Sequence, residues 1–361
     1  LLAVSSILET IHSKGTSRFD FGKFKISDVF WSDFIDRAMD QLVVPALAYQ
    51  IEKSQLSGVV PSLVERYCNS LLRINRSRNE QIAQEIILVA EALNNIGVVP
   101  LFLKGASGQL VNLYEDPGIR IMSDIDMLVQ PKCIAQSIEQ LKAIGYRSSS
   151  NLQHPYLQSV QTFIKNGAVA PVDLHHSILM RQHSKLIQAE EVFADAVVAK
   201  VGNVRFAVPN PTHQALINIA HAELHDRAYW YGDLPLRSLL DLCAIQNKYG
   251  DLVDWDSLET QFTKSGYTTA FNYHCLAADR FVGASIPRVG KNFVWAELLV
   301  RRAIFFLSRP RIKSIDSRIA RVLMLLRQEL SDSVLRKRLL KNMMTVIWWK
   351  RHLLKLLTAS R

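Results

Sequence analysis

Two aspartates stand two residues apart, Asp124 and Asp126, in Ile121-Met-Ser-Asp-Ile-Asp-Met-Leu-Val129, and a third, Asp173, stands in Val169-Ala-Pro-Val-Asp-Leu-His175. Both runs read as apolar strands. Alternation of side chains puts Asp124 and Asp126 on the same strand face, where neighbouring like charges and burial are costly without a cation. Two readings follow. The pair is either two solvated strand-end carboxylates or a binding site for Mg²⁺, which takes one or two carboxylates and fills its other positions with water and substrate phosphates. A lone strand aspartate such as Asp173 is ordinarily structural, but a third acid on an adjacent strand is what a two-metal centre needs. His175 shares the face of Asp173. It either orients an acceptor or makes a strand-end hydrogen bond.

An anion site is suggested just upstream. The apolar run Val98–Leu103 reads as a strand that passes into Lys104-Gly105-Ala106-Ser107, followed by a short helical pattern with Leu110, Val111 and Leu113 apolar. Backbone N–H groups at such a strand-to-helix junction favour an anion. Gly105 allows close approach to the backbone, and Ser107 either caps the helix or touches a phosphate. The chain then turns at Asp116-Pro117-Gly118 before the strand that carries Asp124 and Asp126.

Taken together, Lys-Gly-Ala (104–106), Arg-x-Met-x-Asp-Ile-Asp-x-Leu-Val (120–129) and Val-Asp-Leu-His (172–175) resemble the uncharacterised nucleotidyltransferase family of the polymerase-β-like superfold, over residues 80–285. The resemblance implies that Asp124, Asp126 and Asp173 hold two Mg²⁺ ions, with Mn²⁺ as the alternative. It makes Gly105, Ala106 and Ser107 the nucleotide turn. The superfold's Gly-Ser pair is Gly105-Ala106 here, with serine one place later, which passes more of the phosphate grip to Lys104 or Arg120. It also places an arginine and an aspartate, here Arg237 and Asp241, on a helix facing the cleft. The implied reaction is transfer of a nucleoside monophosphate from an NTP to an acceptor.

These residues need an α+β frame: a small mixed sheet with helices on one side, flanked by helical N-terminal and C-terminal regions. Residues 1–78 read as a helical N-terminal region, with helices at Val29–Leu42 and Leu63–Ile74. Residues 79–208 read as the catalytic domain, entered by a helix from Asn79 to Asn95 whose apolar positions recur at helical spacing and which stops at Gly97. Cys133–Ile144 is a further amphipathic helix. Val160–Ile164 and Val169–Leu174 form a hairpin about Asn166-Gly167, a strong turn pair. Beyond Pro209-Asn-Pro211 the pattern is helical, with 209–290 closing the cleft and 291–361 a basic amphipathic tail. Thr212 caps the helix to His225, on which His221 and His225 lie four apart. The intervening residues are not the His-Glu-x-x-His zinc pattern, so this pair is read as hydrogen-bonded rather than metal-bound. Arg237 and Asp241, also four apart, suit either a helix-surface ion pair or a cleft contact. Trp230 and Tyr231 either stack on a base or pack at a hinge.

A chain of 361 residues that is 48% hydrophobic builds substantial cores. Four scattered cysteines, without a Cys-x-x-Cys, suggest neither a disulfide framework nor a zinc ribbon, and no apolar run reaches the ~18 residues of a membrane span. A cytoplasmic protein is expected. The net charge of +10 is concentrated: residues 301–361 hold 16 Lys and Arg against 3 Asp and Glu, and residues 1–300 hold 27 against 30. A near-neutral catalytic region favours a small-molecule, sugar-phosphate or peptide acceptor over nucleic acid. The tail, with Trp348-Trp349 among its basic residues, either packs on the protein, docks an anionic membrane surface or a protein partner, or binds nucleic-acid phosphates. Two other readings stand beside the transferase: a non-catalytic subunit docking a membrane or biosynthetic complex, and an RNA-modifying or toxin-like transferase.

Overall fold

The computed structural model describes residues 28–53, 60–149, 159–287, 293–307, 309 and 311–320. Helices α1 (Asp28–Asp40) and α2 (Val44–Lys53) lead into α3 (Ser62–Asn94), a single helix of 33 residues. The expected helices Leu63–Ile74 and Asn79–Asn95 are therefore one, running unbroken across the boundary anticipated at 78/79. The linking residues Asn75-Arg-Ser-Arg-Asn79 contain neither glycine nor proline, so nothing in them stops a helix. The buried stripe of α3, Cys68, Leu72, Asn75, Asn79, Ile82, Ile86, Val89, Ala90 and Leu93, keeps three- and four-residue spacing throughout.

The sheet is built from β1 (Leu101–Phe102), β2 (Ile125–Leu128), β3 (Arg147–Ser148), β4 (Ser159–Ile164), β5 (Val172–His175), β6 (Val197–Val201) and β7 (Val204–Val208), in the order β3-β4-β5-β2-β1-β7-β6. Strand β2 runs parallel to β5, β1 runs parallel to β7, and the other neighbours are antiparallel. The hairpin about Asn166-Gly167 forms, pairing Thr162 with Asp173. The β6–β7 hairpin was not anticipated. Its signals are short and local: apolar runs on either side of Gly202-Asn203.

Strand parity separates two cores. Phe102, Ile125, Met127, Val172, Leu174 and Phe206 point to one face, where they pack with Ile82, Ile86, Val89 and Leu93 of α3 and with Leu141 of α5 (Ile134–Ala143). Leu101, Leu103, Leu128 and Ala207 point to the other face and join the core of the helical region. That region contains α7 (Pro211–Ala220), a π-helical turn (His221–His225), α8 (Ala228–Tyr231), α9 (Leu236–Tyr249), α10 (Trp255–Lys264), α11 (Thr268–Val282) and α12 (Val294–Leu307); the short α4 (Lys104–Leu110) and α6 (Ala189–Ala194) belong to the sheet domain. Helices thus cover the sheet on both sides, not on one. Asn210, rather than the expected Thr212, caps α7, accepting a hydrogen bond from the His213 N–H at 2.7 Å.

Residues 311–320 are helical. Their Lys313 pairs with Asp233, and Arg302 of α12 pairs with Asp316 and donates to the Tyr229 and Trp230 carbonyls. The start of the basic segment therefore packs on the protein, while the basic stripe from Leu335 to Leu357 lies outside the described residues. No described helix is long and apolar enough to cross a membrane.

The irregular stretch between α4 and β2 is held by α3. Asn75 Nδ2 donates to the Gly118 and Arg120 carbonyls at 2.6 and 3.0 Å, and Asn79 Nδ2 donates to the Arg120 carbonyl at 2.8 Å. Arg76 forks onto Asp116, and Arg78 donates to the Met122 and Val169 carbonyls. Loop carbonyls that would otherwise be buried without partners are thereby satisfied. Gly118 sits directly on α3, where an added Cβ would lie 2.9 Å from the Leu72 carbonyl oxygen. Replacing Gly118 with alanine is expected to destabilise the fold by about 1–3 kcal/mol through overpacking, read as a lowered denaturation midpoint with an unchanged m-value.

Candidate active site

The parallel register of β2 and β5 sets Asp126 directly beside Asp173 on the face away from the α3 core. Asp126 is only 3% exposed. An ammonium and an imidazole answer it: Lys104 Nζ lies 2.7 Å from its Oδ1, and His175 Nε2 donates to the same oxygen at 2.9 Å. The same His175 nitrogen lies 3.3 Å from Asp173 Oδ2. Burial alone would raise the carboxyl pKa of Asp126, but Lys104 and His175 outweigh it and hold the group well below the usual carboxylate range. For His175, burial favours the neutral ring, and the hydrogen bonds to Asp126 and Asp173 overcome that and raise its pKa. Asp173 also receives hydrogen bonds from Ser159 and from Thr162, the latter at 3.0 Å. Its pKa is lowered: burial opposes this, but the donors led by His175 prevail. A carboxylate so fully claimed is a weak base.

Asp126, Asp173 and His175 offer donor atoms within 4.8 Å of one another, a grouping that suits a metal ion. Asp124 lies just before β2, half-buried, and accepts a hydrogen bond from Ser123 at 2.9 Å. It stands outside that trio but lines the same cleft as Asp126. Three carboxylates on one side of the sheet, set against Lys104 and His175, form a hard-oxygen donor set of the kind that Mg²⁺ or Mn²⁺ takes.

The cleft has a volume of about 260 Å³. Lys104, Gly105, Ser107, Arg120, Ser123, Asp124 and Asp126 line its sheet side; Gln214, Asn218, His221, Asp226, Arg237 and Asp241 line its helical side. The fold therefore brings together eight of the sequence-derived site residues. Ala106, Asp173 and His175 do not line it: Ala106 and His175 are buried, and His175 backs the carboxylates from within. Lys104 opens α4 at φ +49°, a left-handed conformation uncommon outside glycine, and in this position its ammonium meets Asp126. Gly105 has a packing role beside the one expected of it. An added Cβ there would fall 2.3 Å from Arg120 Nη1, so the glycine makes room for a guanidinium. Ser107 Oγ is buried without a hydrogen-bond partner.

Arg120 is committed elsewhere. Its Nε donates to both oxygens of Asp241, at 2.8 and 3.0 Å, and the Tyr114 hydroxyl donates to Asp241 Oδ1 at 2.7 Å. Burial alone would lower the Arg120 pKa, but Asp241 raises it, and burial together with the Asp241 charge drives the Tyr114 phenol far up. Of the two readings of Arg237 and Asp241, the ion pair between them is not formed, because Asp241 turns to this longer-range partner. Arg237 lines the cleft and makes neither an ion pair nor a hydrogen bond among the described residues. Burial, and then the nearby Arg120 charge, lower its pKa.

Some residues of the site were not singled out from the sequence. Across β4–β5, Thr162 stands opposite Asp173 and Ser159 opposite His175; counting outward from the Asn166-Gly167 turn would have put Val160 opposite Asp173, because the connection is wider than the turn pair. Asp226 directly follows His225 and completes a cluster with His221 and His225. Trp230 Nε1 donates to the Ala320 carbonyl at 3.1 Å, so it packs against the helix at 311–320.

A family model described as an uncharacterised nucleotidyltransferase matches residues 27–283. No curated protein and no solved structure matches the chain.

The Arg120–Asp241 pair joins the loop of the sheet domain to α9 in a nearly dry setting. Arg120→Met leaves a buried carboxylate without its cation and is expected to cost about 3–5 kcal/mol. Adding Asp241→Leu should restore much of that loss, and a double-mutant cycle by chemical denaturation reads the coupling.

Proposed function

The chain belongs to the uncharacterised nucleotidyltransferase family, and from that premise we propose that it moves a nucleoside monophosphate from an NTP to a small-molecule, sugar-phosphate or peptide acceptor in a Mg²⁺-dependent reaction. The observation that supports this most is the pattern of charge in the cleft. Carboxylates stand on its sheet wall, and Arg237 faces it from the helical wall without an anion partner among the described residues. A guanidinium held there is suited to phosphate oxygens, which it can bind in a bidentate fork.

Asp124, Asp126 and Asp173 would hold the divalent ions, with His175 fixing the last two from behind. When bound, such ions neutralise developing phosphate charge and make an acceptor hydroxyl more acidic. The chain's own residues do the rest. Arg237 grips the triphosphate, and Lys104 remains beside Asp126 to balance the acid pair. The acceptor oxygen attacks the α-phosphorus in line, the new P–O bond forms as the bond to the bridging oxygen breaks, and pyrophosphate leaves with that electron pair. The acceptor's proton passes to Asp124, whose only side-chain donor among the described residues is Ser123. Near-neutral charge over residues 1–300 supports a small acceptor over a polynucleotide.

Calorimetric titration with ATP, GTP, CTP and UTP in Mg²⁺ is expected to find one preferred nucleotide whose binding vanishes in Asp124→Asn/Asp126→Asn. Arg237→Gln should weaken that binding by roughly 10-fold or more, the value of one charged hydrogen bond. If no nucleotide binds the parent chain, the reading gives way to a non-catalytic subunit of the same fold.

A further inference from the structure

At the helical wall of the cleft, which His221 and Asp226 line, these two residues and the adjacent His225 place one donor atom each within 4.8 Å of one another. His221 Nδ1 lies 3.3 Å from Asp226 Oδ2, and His225 Nε2 lies 4.0 Å from Asp226 Oδ1. The two imidazoles are stacked, 4.7 Å between centroids and 20° from parallel. His225 is poorly served by the protein: its Nδ1 is buried with no partner, and its Nε2 stands beyond hydrogen-bond distance of the nearest carboxylate oxygen. Reading the two histidines as a hydrogen-bonded pair leaves both nitrogens of His225 unexplained.

The backbone that presents the three residues is unusual and firmly anchored. His221–His225 is a π-helical turn, a form that is rare and frequent at functional sites. It is followed by Arg227 at φ +61°, left-handed for a non-glycine residue. Glu223, inside the turn and fully buried, accepts from His274 Nδ1 at 2.7 Å and from the Tyr229 N–H at 2.8 Å. That anchor points Glu223 inward, while His221 and Asp226 line the cleft.

We propose that His221, His225 and Asp226 form a second metal site, separate from the aspartates and selective for a borderline transition ion such as Zn²⁺ or Co²⁺. Two imidazoles and one carboxylate suit such ions, whereas Mg²⁺ prefers oxygen donors alone. Three protein ligands leave coordination positions open, and the cleft that His221 and Asp226 line is where an exogenous ligand would reach them. Lys104 and Arg227 both bring positive charge near His225; Lys104 is drawn to Asp126 at 2.7 Å, which offsets its share of the repulsion of a bound ion. The proposal does not depend on nucleotidyl transfer.

The test uses the full chain and Co²⁺ as a spectroscopic probe, with Zn²⁺ as competitor. Equilibrium dialysis and visible absorption are run on the parent chain, on Asp126→Asn and on His221→Ala/His225→Ala, with circular dichroism to confirm folding. In millimolar Mg²⁺ throughout, which fills the carboxylate site, the expected result is one bound Co²⁺ with d–d bands in both the parent and Asp126→Asn, displaced by Zn²⁺ and not by further Mg²⁺. The bands should be lost in His221→Ala/His225→Ala. Should that variant be unfolded, Asp226→Asn serves in its place, with weaker binding and altered bands expected. Co²⁺ binding that survives loss of the histidines, disappears with Asp126, or is displaced by Mg²⁺ would overturn the site, as would its absence from the parent. Loss of nucleotide binding in Asp126→Asn with Co²⁺ retained separates this outcome from that of the transferase reading.

Discussion

A carboxylate buried in a sheet sets the terms for the rest of the molecule. Asp126 is nearly sealed from water and stands in register with a second acid, Asp173. Neither could remain ionised there unaided, since burial and mutual repulsion both favour protonation. The protein answers with Lys104 at one side and His175 between the two acids. Each answer carries its own structural demand. Lys104 must adopt a left-handed backbone at the start of α4, and His175 must be enclosed at the end of β5.

Those demands pass outward to α3. Strand parity puts the acids on the face opposite the α3 core, so α3 does not touch them. It fixes them indirectly by tying down the loop from Asp116 to Met122 through Asn75, Arg76, Arg78 and Asn79. The same loop delivers Arg120 across Gly105 to Asp241 on α9. One buried ion pair therefore links the sheet to the helical wall. A buried pair is weak evidence of net stability, but its geometry constrains how the two walls of the cleft face each other.

Much of this frame could be read from residue order, and the part that could not follows a rule. The strands carrying Asp126 and Asp173 were legible because alternation and apolar content are local properties. The hairpin about Asn166-Gly167 was legible for the same reason. The family was legible because three short motifs, each weak alone, occurred in the right order. What escaped was pairing across distance. Arg237 and Asp241 look like a helix-surface pair by spacing, yet Asp241 is bound by Arg120, 121 residues away, through both carboxylate oxygens. Phosphate approach explains Gly105 from sequence equally well, and only the fold reveals the guanidinium packed against it. Leu63–Ile74 and Asn79–Asn95 merged into one helix because a polar interruption weakens an apolar stripe without breaking the backbone. The buried asparagines within it are the residues that grip the loop.

The two walls differ in kind, and that difference bears on how the cleft works. The sheet wall is held by paired charges: Asp126 and Asp173 have had their charge balanced by Lys104 and His175, so their positions are set before any ligand arrives. The helical wall carries groups whose bonding capacity is not used by the protein. Arg237 has no ion-pair partner and His225 no hydrogen bond among the described residues, while Glu223, in the same turn as His225, is satisfied by two donors. A fold that can bury Glu223 with two donors is able to satisfy a polar side chain in this region. Leaving Arg237 on the cleft wall, and His225 beside it, without such partners concentrates unspent binding capacity on the side that faces the acids.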